Sequence, residues 1–156
     1  RLAANNLLPI RHYIPRLRIR AFGEDPELAA LEDLSRASGI LFERYDRETL
    51  SLGQAPVLPP ADLWTATILL FHDHEWEAAI LRQALAGPSF YIGAQGGATA
   101  RQNRIERLMH EGAAPMELAR IRGPVGIFPS SRTPRSLALS ILCEIVGEYE
   151  RLHPHA

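Results

Sequence analysis

Thr65-Ala66-Thr67-Ile68-Leu69-Leu70-Phe71, then His72-Asp73-His74, then Glu75 to Ala86 closed by Gly87-Pro88, then Ser89-Phe90-Tyr91-Ile92 running into Gly93-Ala94-Gln95-Gly96-Gly97: this stretch decides the fold. An apolar run, a polar corner, a helix-like segment, a second apolar run and a glycine loop make a βαβ unit. Ligands of such units lie outside the carboxyl ends of the strands. Both unusual loops, the His72 corner and the Gly93–Gly97 loop, fall at those ends.

Outward toward the N-terminus, Arg16-Leu17-Arg18-Ile19-Arg20-Ala21-Phe22 alternates strictly and reads as a strand with one wet face. Arginines are awkward in a central parallel strand, so either this strand is partly exposed or a partner covers its arginine face. Gly23-Glu24-Asp25-Pro26 starts a helix, with Asp25 as N-cap and Pro26 as first helical residue. Leu28, Leu31 and Leu34 give its core stripe, and Gly39 stops it. Ile40 to Tyr45 is the next strand, ending at Asp46. Residues 47–63 read mostly as loop, with Leu50, Leu52, Val57 and Leu58 adding at most a short strand. The two Pro of residues 1–15, Pro9 and Pro15, suggest an arm or linker.

Toward the C-terminus, Thr99 to His110 is helical, with Ile105, Leu108 and Met109 inward. Pro115 to Arg120 is a short helix, and Val125 to Phe128 is a candidate short strand. Thr133-Pro134 opens a long last helix with a stripe of Leu137, Ile141, Ile145 and Tyr149. The tail 153–156 should fray. The alternation predicts an α/β fold, a Rossmann-like three-layer domain with a mostly parallel sheet over residues 16–152.

The 156 residues suit one domain, and 46% hydrophobic with 22% charged residues is ordinary for a globular protein. A formal net charge of -1 gives no general pull toward nucleic acid or an anionic membrane. All 17 basic residues are Arg, so no Lys nucleophile exists. One cysteine, Cys143, cannot form an internal disulfide, which fits the cytoplasm; its place among apolar residues suggests a buried thiol. No apolar run is long enough for a membrane span.

Four clusters could carry chemistry. The Gly23 turn resembles a dinucleotide turn, with Asp46 about twenty residues on as the ribose acid, but its carboxylates would repel a diphosphate. His72-Asp73-His74 is too tight for a usual zinc site; Asp73 suits a helix cap, and His72 a hydrogen-bond donor or an acid or base. Gly93, Gln95, Gly96 and Gly97 lead into a helix N-terminus followed by Arg101, Arg104 and Arg107 at helical spacing, which reads as a solvated face or an anion clamp. Ser130-Ser131-Arg132-Thr133 precedes another helix N-terminus and is a candidate anion or carbonyl site.

From about Arg16 to Arg151 these residues resemble the C-terminal Rossmann-like domain of the XdhC/CoxI family, accessory factors of xanthine dehydrogenase. The resemblance rests on Thr65-Ala66 leading to His72-Asp73-His74, on Tyr91-Ile92-Gly93 with Gly96, and on Arg104 with Arg107-Leu108. It is strongest in Ile121-Arg122-Gly123-Pro124-Val125-Gly126, then Arg132-Thr133-Pro134, Ala138-Leu139-Ser140-Ile141 and Glu144-Ile145. It implies a carrier and chaperone, not an enzyme, that binds molybdenum cofactor (molybdopterin) and helps load it into an apo molybdenum hydroxylase of the xanthine dehydrogenase type. Carried over, His72, Asp73, Gly93, Gln95, Gly96, Gly97, Arg132 and Thr133 would face the cofactor. The chain departs from the family at Gly23-Glu24-Asp25-Pro26, Gly97-Ala98-Thr99 and Ser130-Ser131. Two other readings stand beside this one: an NAD(P)-binding oxidoreductase-like domain, and a Rossmann-like interaction module without ligand. An arginine face and an arm that look unfinished alone also suggest a homo-oligomer.

Overall fold

A computed structural model of the chain describes residues 16–128 and 130–154. The expected arm at 1–15 and the end of the tail lie outside them. The strands are β1 (Arg18–Gly23), β2 (Leu41–Asp46), β3 (Thr65–Leu70), β4 (Tyr91–Ala94) and β5 (Ile121–Arg122). The helices are α1 (Glu27–Ala37), α2 (Glu77–Leu85), α3 (Ala98–His110), α4 (Pro115–Leu118) and α5 (Pro134–Leu152), and a single 3-10 turn at His74–Trp76 precedes α2.

The five strands form one parallel sheet in the order β2-β1-β3-β4-β5. The chain steps outward from β1 to β2, then returns across β1 to β3. The order therefore reverses between β1 and β3, and the crevice outside their carboxyl ends is where such sheets take ligands. Gly23 at the end of β1 pairs with Asp46 on one side and Leu70 on the other, so the strand-end loops start level.

Helices α1 and α5 cover one face. There Ile19, Ala21, Ile68 and Leu70 meet Leu28, Leu31, Ile141 and Ile145. The opposite face carries Phe22, Leu69 and Ile92 under Ile80, Leu81 and Leu108, with Leu50 and Leu58 of the β2–β3 connection. The sheet thus sits between two layers, as the α/β reading predicts. β3 is buried on both faces, which explains why it carries no charged residue.

The arginines of β1 need no partner chain. Arg20 is buried, donates from Nε to Glu43 Oε1 at 2.8 Å and from Nη2 to the Pro59 carbonyl at 2.8 Å. Arg18 pairs with Glu43 and Asp62. The loop at 47–64 lies over this row, so the arginine face gives no argument for an oligomer. No strand forms in that loop.

Other details differ from the sequence reading. The N-cap of α1 is Pro26; the Asp25 carboxylate instead accepts from the Ala29 N–H at 3.0 Å. Gly93 and Ala94 belong to β4, because Gly93 pairs with Ile68 and Arg122. The last strand is Ile121–Arg122 rather than Val125–Phe128, which turns back onto α5. Met109 and Cys143 are exposed, not inward. His153 does not fray: its ring packs on Trp64, Phe90 and Tyr149. No helix among the described residues is long and apolar enough to cross a membrane.

Candidate functional site

Three loops gather at the carboxyl edge around the β1/β3 reversal. The first follows β1. A Cβ on Gly23 would lie 2.4 Å from the Leu70 carbonyl oxygen, so only glycine lets the turn pass this close to β3. The Glu24 carboxylate then accepts from the His72 backbone N–H at 2.7 Å and from Arg47 Nη1 at 3.1 Å. Burial alone would raise the pKa of Glu24. The N–H groups of His72 and Asp73 and the Arg47 guanidinium outweigh that and hold it below the ordinary carboxylate value.

The chain's own carboxylate therefore stands in the turn after β1, the turn that carries the glycines of a dinucleotide site. Asp25 forms a two-pronged pair with Arg44, both contacts 3.0 Å, which keeps its carboxyl depressed. Asp46 accepts from the Glu48 and Thr49 N–H groups and from Arg44. It closes a turn, with its carboxylate already engaged there.

The second loop follows β3. His72 is half exposed, with Nε2 3.0 Å from Glu27 Oε1. Asp73 caps the 3-10 turn, accepting from the Glu75 N–H at 3.0 Å. His74 Nδ1 lies 2.8 Å from Glu77 Oε2. Glu77 is buried and pairs with the equally buried Arg104 at 2.9 and 3.2 Å. Arg104 Nη2 also donates to the Gln95 carbonyl at 2.8 Å.

That pair ties the second loop to the third, which follows β4. Gln95 completes the tie: its N–H donates to the Leu69 carbonyl at 2.9 Å and its side chain to the Phe71 carbonyl at 3.1 Å. Gly96 has φ +133°, and a Cβ there would sit 2.7 Å from Ala100 Cβ and 3.1 Å from the His74 ring. No side chain caps α3, so its first N–H groups face outward at the positive end of the helix dipole. Beside them a cleft of about 560 Å³ is lined by Gly97, Ala98, Arg101, Gln102, Ile105 and Pro124. Arg101 is exposed and has no ion-pair partner among the described residues.

The structure thus brings His72, Asp73, Gln95, Gly96 and Gly97 together. Gly93 stands apart inside β4, where a Cβ would meet Val125 Cγ1 at 2.8 Å; its glycine serves packing. Thr133 is spent on the helix, its Oγ1 accepting from the Ser136 N–H at 3.0 Å. Arg132 is exposed, and no hydrogen bond or ion pair among the described residues joins it to the three loops.

Sequence reasoning missed the roles of four polar residues, of which Glu77, Arg104 and Ser140 are buried and Glu144 half-buried. Spacing puts Arg104 in a row that reads as a solvated face or an anion clamp, yet it is buried against Glu77. Ser140 accepts from the Ile127 and Phe128 N–H groups at 2.7 and 3.0 Å. Glu144 accepts from the Gly126 N–H at 3.1 Å and from the Tyr91 hydroxyl. Burial and that hydrogen bond together push the Tyr91 phenol upward. The available signal was polarity inside apolar runs: Glu77 within Trp76 to Leu81, and Ser140 and Glu144 one helical turn apart beside Ile141 and Ile145. Among the described residues no group of three or more His, Cys, Asp or Glu is arranged to hold a metal ion.

Comparison with known proteins agrees with the architecture. Residues 16–145 match the XdhC Rossmann domain. The chain is 36% identical over 139 residues to the molybdenum cofactor insertion chaperone PaoD of Escherichia coli (strain K12), which covers 89% of this chain and 42% of that protein. It therefore spans under half the length of this curated relative. A xanthine dehydrogenase structure from Bacillus halodurans superposes with TM-score 0.69 at 19% identity, over 91% of this chain and 46% of that one, and shares the fold.

Proposed function

This chain belongs to the XdhC Rossmann-domain family, and on that premise we propose that it is a non-catalytic carrier for molybdenum cofactor, serving its insertion into an apo molybdenum hydroxylase of the xanthine dehydrogenase type. The observation that carries this is the 36% identity, across 89% of the chain, to a protein named as a molybdenum cofactor insertion chaperone.

The donor chemistry of the carboxyl edge fits such a group. Molybdopterin offers a phosphate and a polar pterin. The uncapped start of α3 and the unpaired Arg101 suit the phosphate. The carboxylates Glu24, Glu27 and Asp73 would repel it, which leaves the His72 corner to the pterin. His72 and Asp73 then orient the pterin, Gly96 and Gly97 allow close approach, and Arg132 supplies a second cation from the α5 turn. The molybdenum chemistry belongs to the client enzyme; this chain's residues bind, orient and release.

A nicotinamide nucleotide is disfavoured by the Glu24 carboxylate in the first turn. The test is anaerobic calorimetric titration with molybdenum cofactor, with NAD and NADP in parallel. Micromolar or tighter binding of the cofactor, weakened at least tenfold by His72→Ala or Arg132→Ala, supports the proposal. Binding of NAD or NADP alone would replace it with the oxidoreductase reading, and silence from all three would leave a protein-interaction module.

A further inference from the structure

The β2–β3 connection crosses the sheet without a helix, and this leaves a gap. On that face α2 covers β3 and β4, while the loop at 47–64 covers β1 more thinly than a helix would. Between loop and helix lies a cavity of about 220 Å³, open to solvent and walled mainly by apolar side chains, with Phe22, Leu58, Pro59, Ile80 and Ala84 among them.

Its floor is polar. Arg20 lines it and is only 6% exposed. Its Nε and Nη2 are engaged by Glu43 and the Pro59 carbonyl, but Nη1 has no partner among the described residues. That nitrogen keeps some exposed surface. Beside it, the Thr67 and Ser89 hydroxyls, both buried, bond to each other at 3.0 Å. Whichever of the two donates, the other keeps a proton to give.

We infer that this cavity is a binding site for a small carboxylate with a compact apolar body, set apart from the carboxyl-edge loops. The carboxylate takes charge-assisted hydrogen bonds from Arg20 Nη1 and the spare hydroxyl proton, and the apolar body rests between Phe22, Leu58 and Ile80. A convergent cation and hydroxyl within apolar walls select for charge and body together. Acetate brings only the first, and benzyl alcohol only the second.

The test uses the whole chain and benzoate as probe, followed by amide NMR. Benzoate should shift the signals of Thr67, Ile80, Ala84 and Ser89 saturably. Acetate and benzyl alcohol should each bind at least about tenfold more weakly. Ala84→Leu fills the cavity while leaving Arg20, Glu43, Thr67 and Ser89 themselves unchanged, and should abolish the shifts in a protein whose remaining spectrum is unchanged; Ser89→Ala should weaken binding severalfold. No saturable shift in the folded wild-type chain would overturn the inference. So would shifts that persist in Ala84→Leu, or that fall on His72 and Gly96 instead. Because these signals differ from those of the carboxyl edge, failure here leaves the molybdenum cofactor reading untouched, and the reverse holds too.

Discussion

Removing the carboxylate of Glu77 isolates a buried cation, and the cost can be worked from the geometry. The Glu77 and Arg104 side chains are 2% and 3% exposed and meet through two hydrogen bonds of 2.9 and 3.2 Å. In Glu77→Leu the guanidinium keeps one acceptor, the Gln95 carbonyl, while its Nη1 is already buried without a partner. Breaking one half of a buried pair typically costs about 3–5 kcal/mol. In a chain of this size that lowers the melting temperature by roughly 6–20 °C.

Arg104→Met should cost less, because Glu77 keeps His74 at 2.8 Å and His74 is partly exposed. The double variant Glu77→Leu/Arg104→Met leaves no unpaired charge and should recover about 2 kcal/mol or more relative to the sum of the singles. Urea unfolding followed by far-UV circular dichroism measures all three. A cost under about 1 kcal/mol for Glu77→Leu, or strict additivity in the double variant, would refute the view that this pair is a dry clamp between the second and third loops.

The Glu24 carboxyl is depressed in the folded chain, so its contribution is complete above its ordinary value of 4.5 and is lost as pH falls through the lower folded value. Glu24→Gln should therefore destabilise the protein at pH 7 and give a shallower loss of stability below pH 4.5 than wild type, by denaturation at stepped pH. Ser140→Ala strands the Ile127 and Phe128 N–H groups; it should cost about 1–3 kcal/mol and speed hydrogen exchange at those two amides selectively. Cys143 is exposed and should react with a thiol reagent in the native protein about as fast as in urea, whereas a core thiol would be protected.

The parallel sheet was legible because its signals are local. β3 is a run without a charged residue, as suits a strand buried on both faces, and Asp73 and Thr133 cap their helices where their side chains can reach the free N–H groups. The arginine row of β1 was legible as a conflict but not as its resolution. Its partners, Glu43 and the Pro59 carbonyl, stand 23 and 39 residues away, and only the sheet order brings them over Arg20. The same holds at the site. His72, Gln95 and Gly96 could be placed at strand ends from the βαβ pattern, whereas the Glu77–Arg104 pair joins two helices whose docking no periodicity reveals.

Arg104 shows why a helical row of arginines misleads. Arg101, Arg104 and Arg107 share one face by spacing, and spacing alone predicts one environment for all three. The face is not uniform, because the buried Glu77 of α2 stands opposite Arg104 alone. Arg101 and Arg107 are exposed, and Arg104 is buried against that acid. What decides between a solvated charge and a structural one is the presence of a counter-charge on the neighbouring helix, and Glu77, an acid inside an otherwise apolar segment, is that counter-charge. An isolated acid in one apolar stretch and a row of bases in another can therefore be tested as a pair before a structure is in hand. Here the pairing also fixes the two loops proposed to meet the cofactor, so the clamp that stabilises the fold sets the geometry of the site. Glu77→Leu should consequently weaken cofactor binding as well as stability, and the Glu77→Leu/Arg104→Met variant, with part of its stability recovered, should still bind more weakly because only Gln95 then ties the two loops.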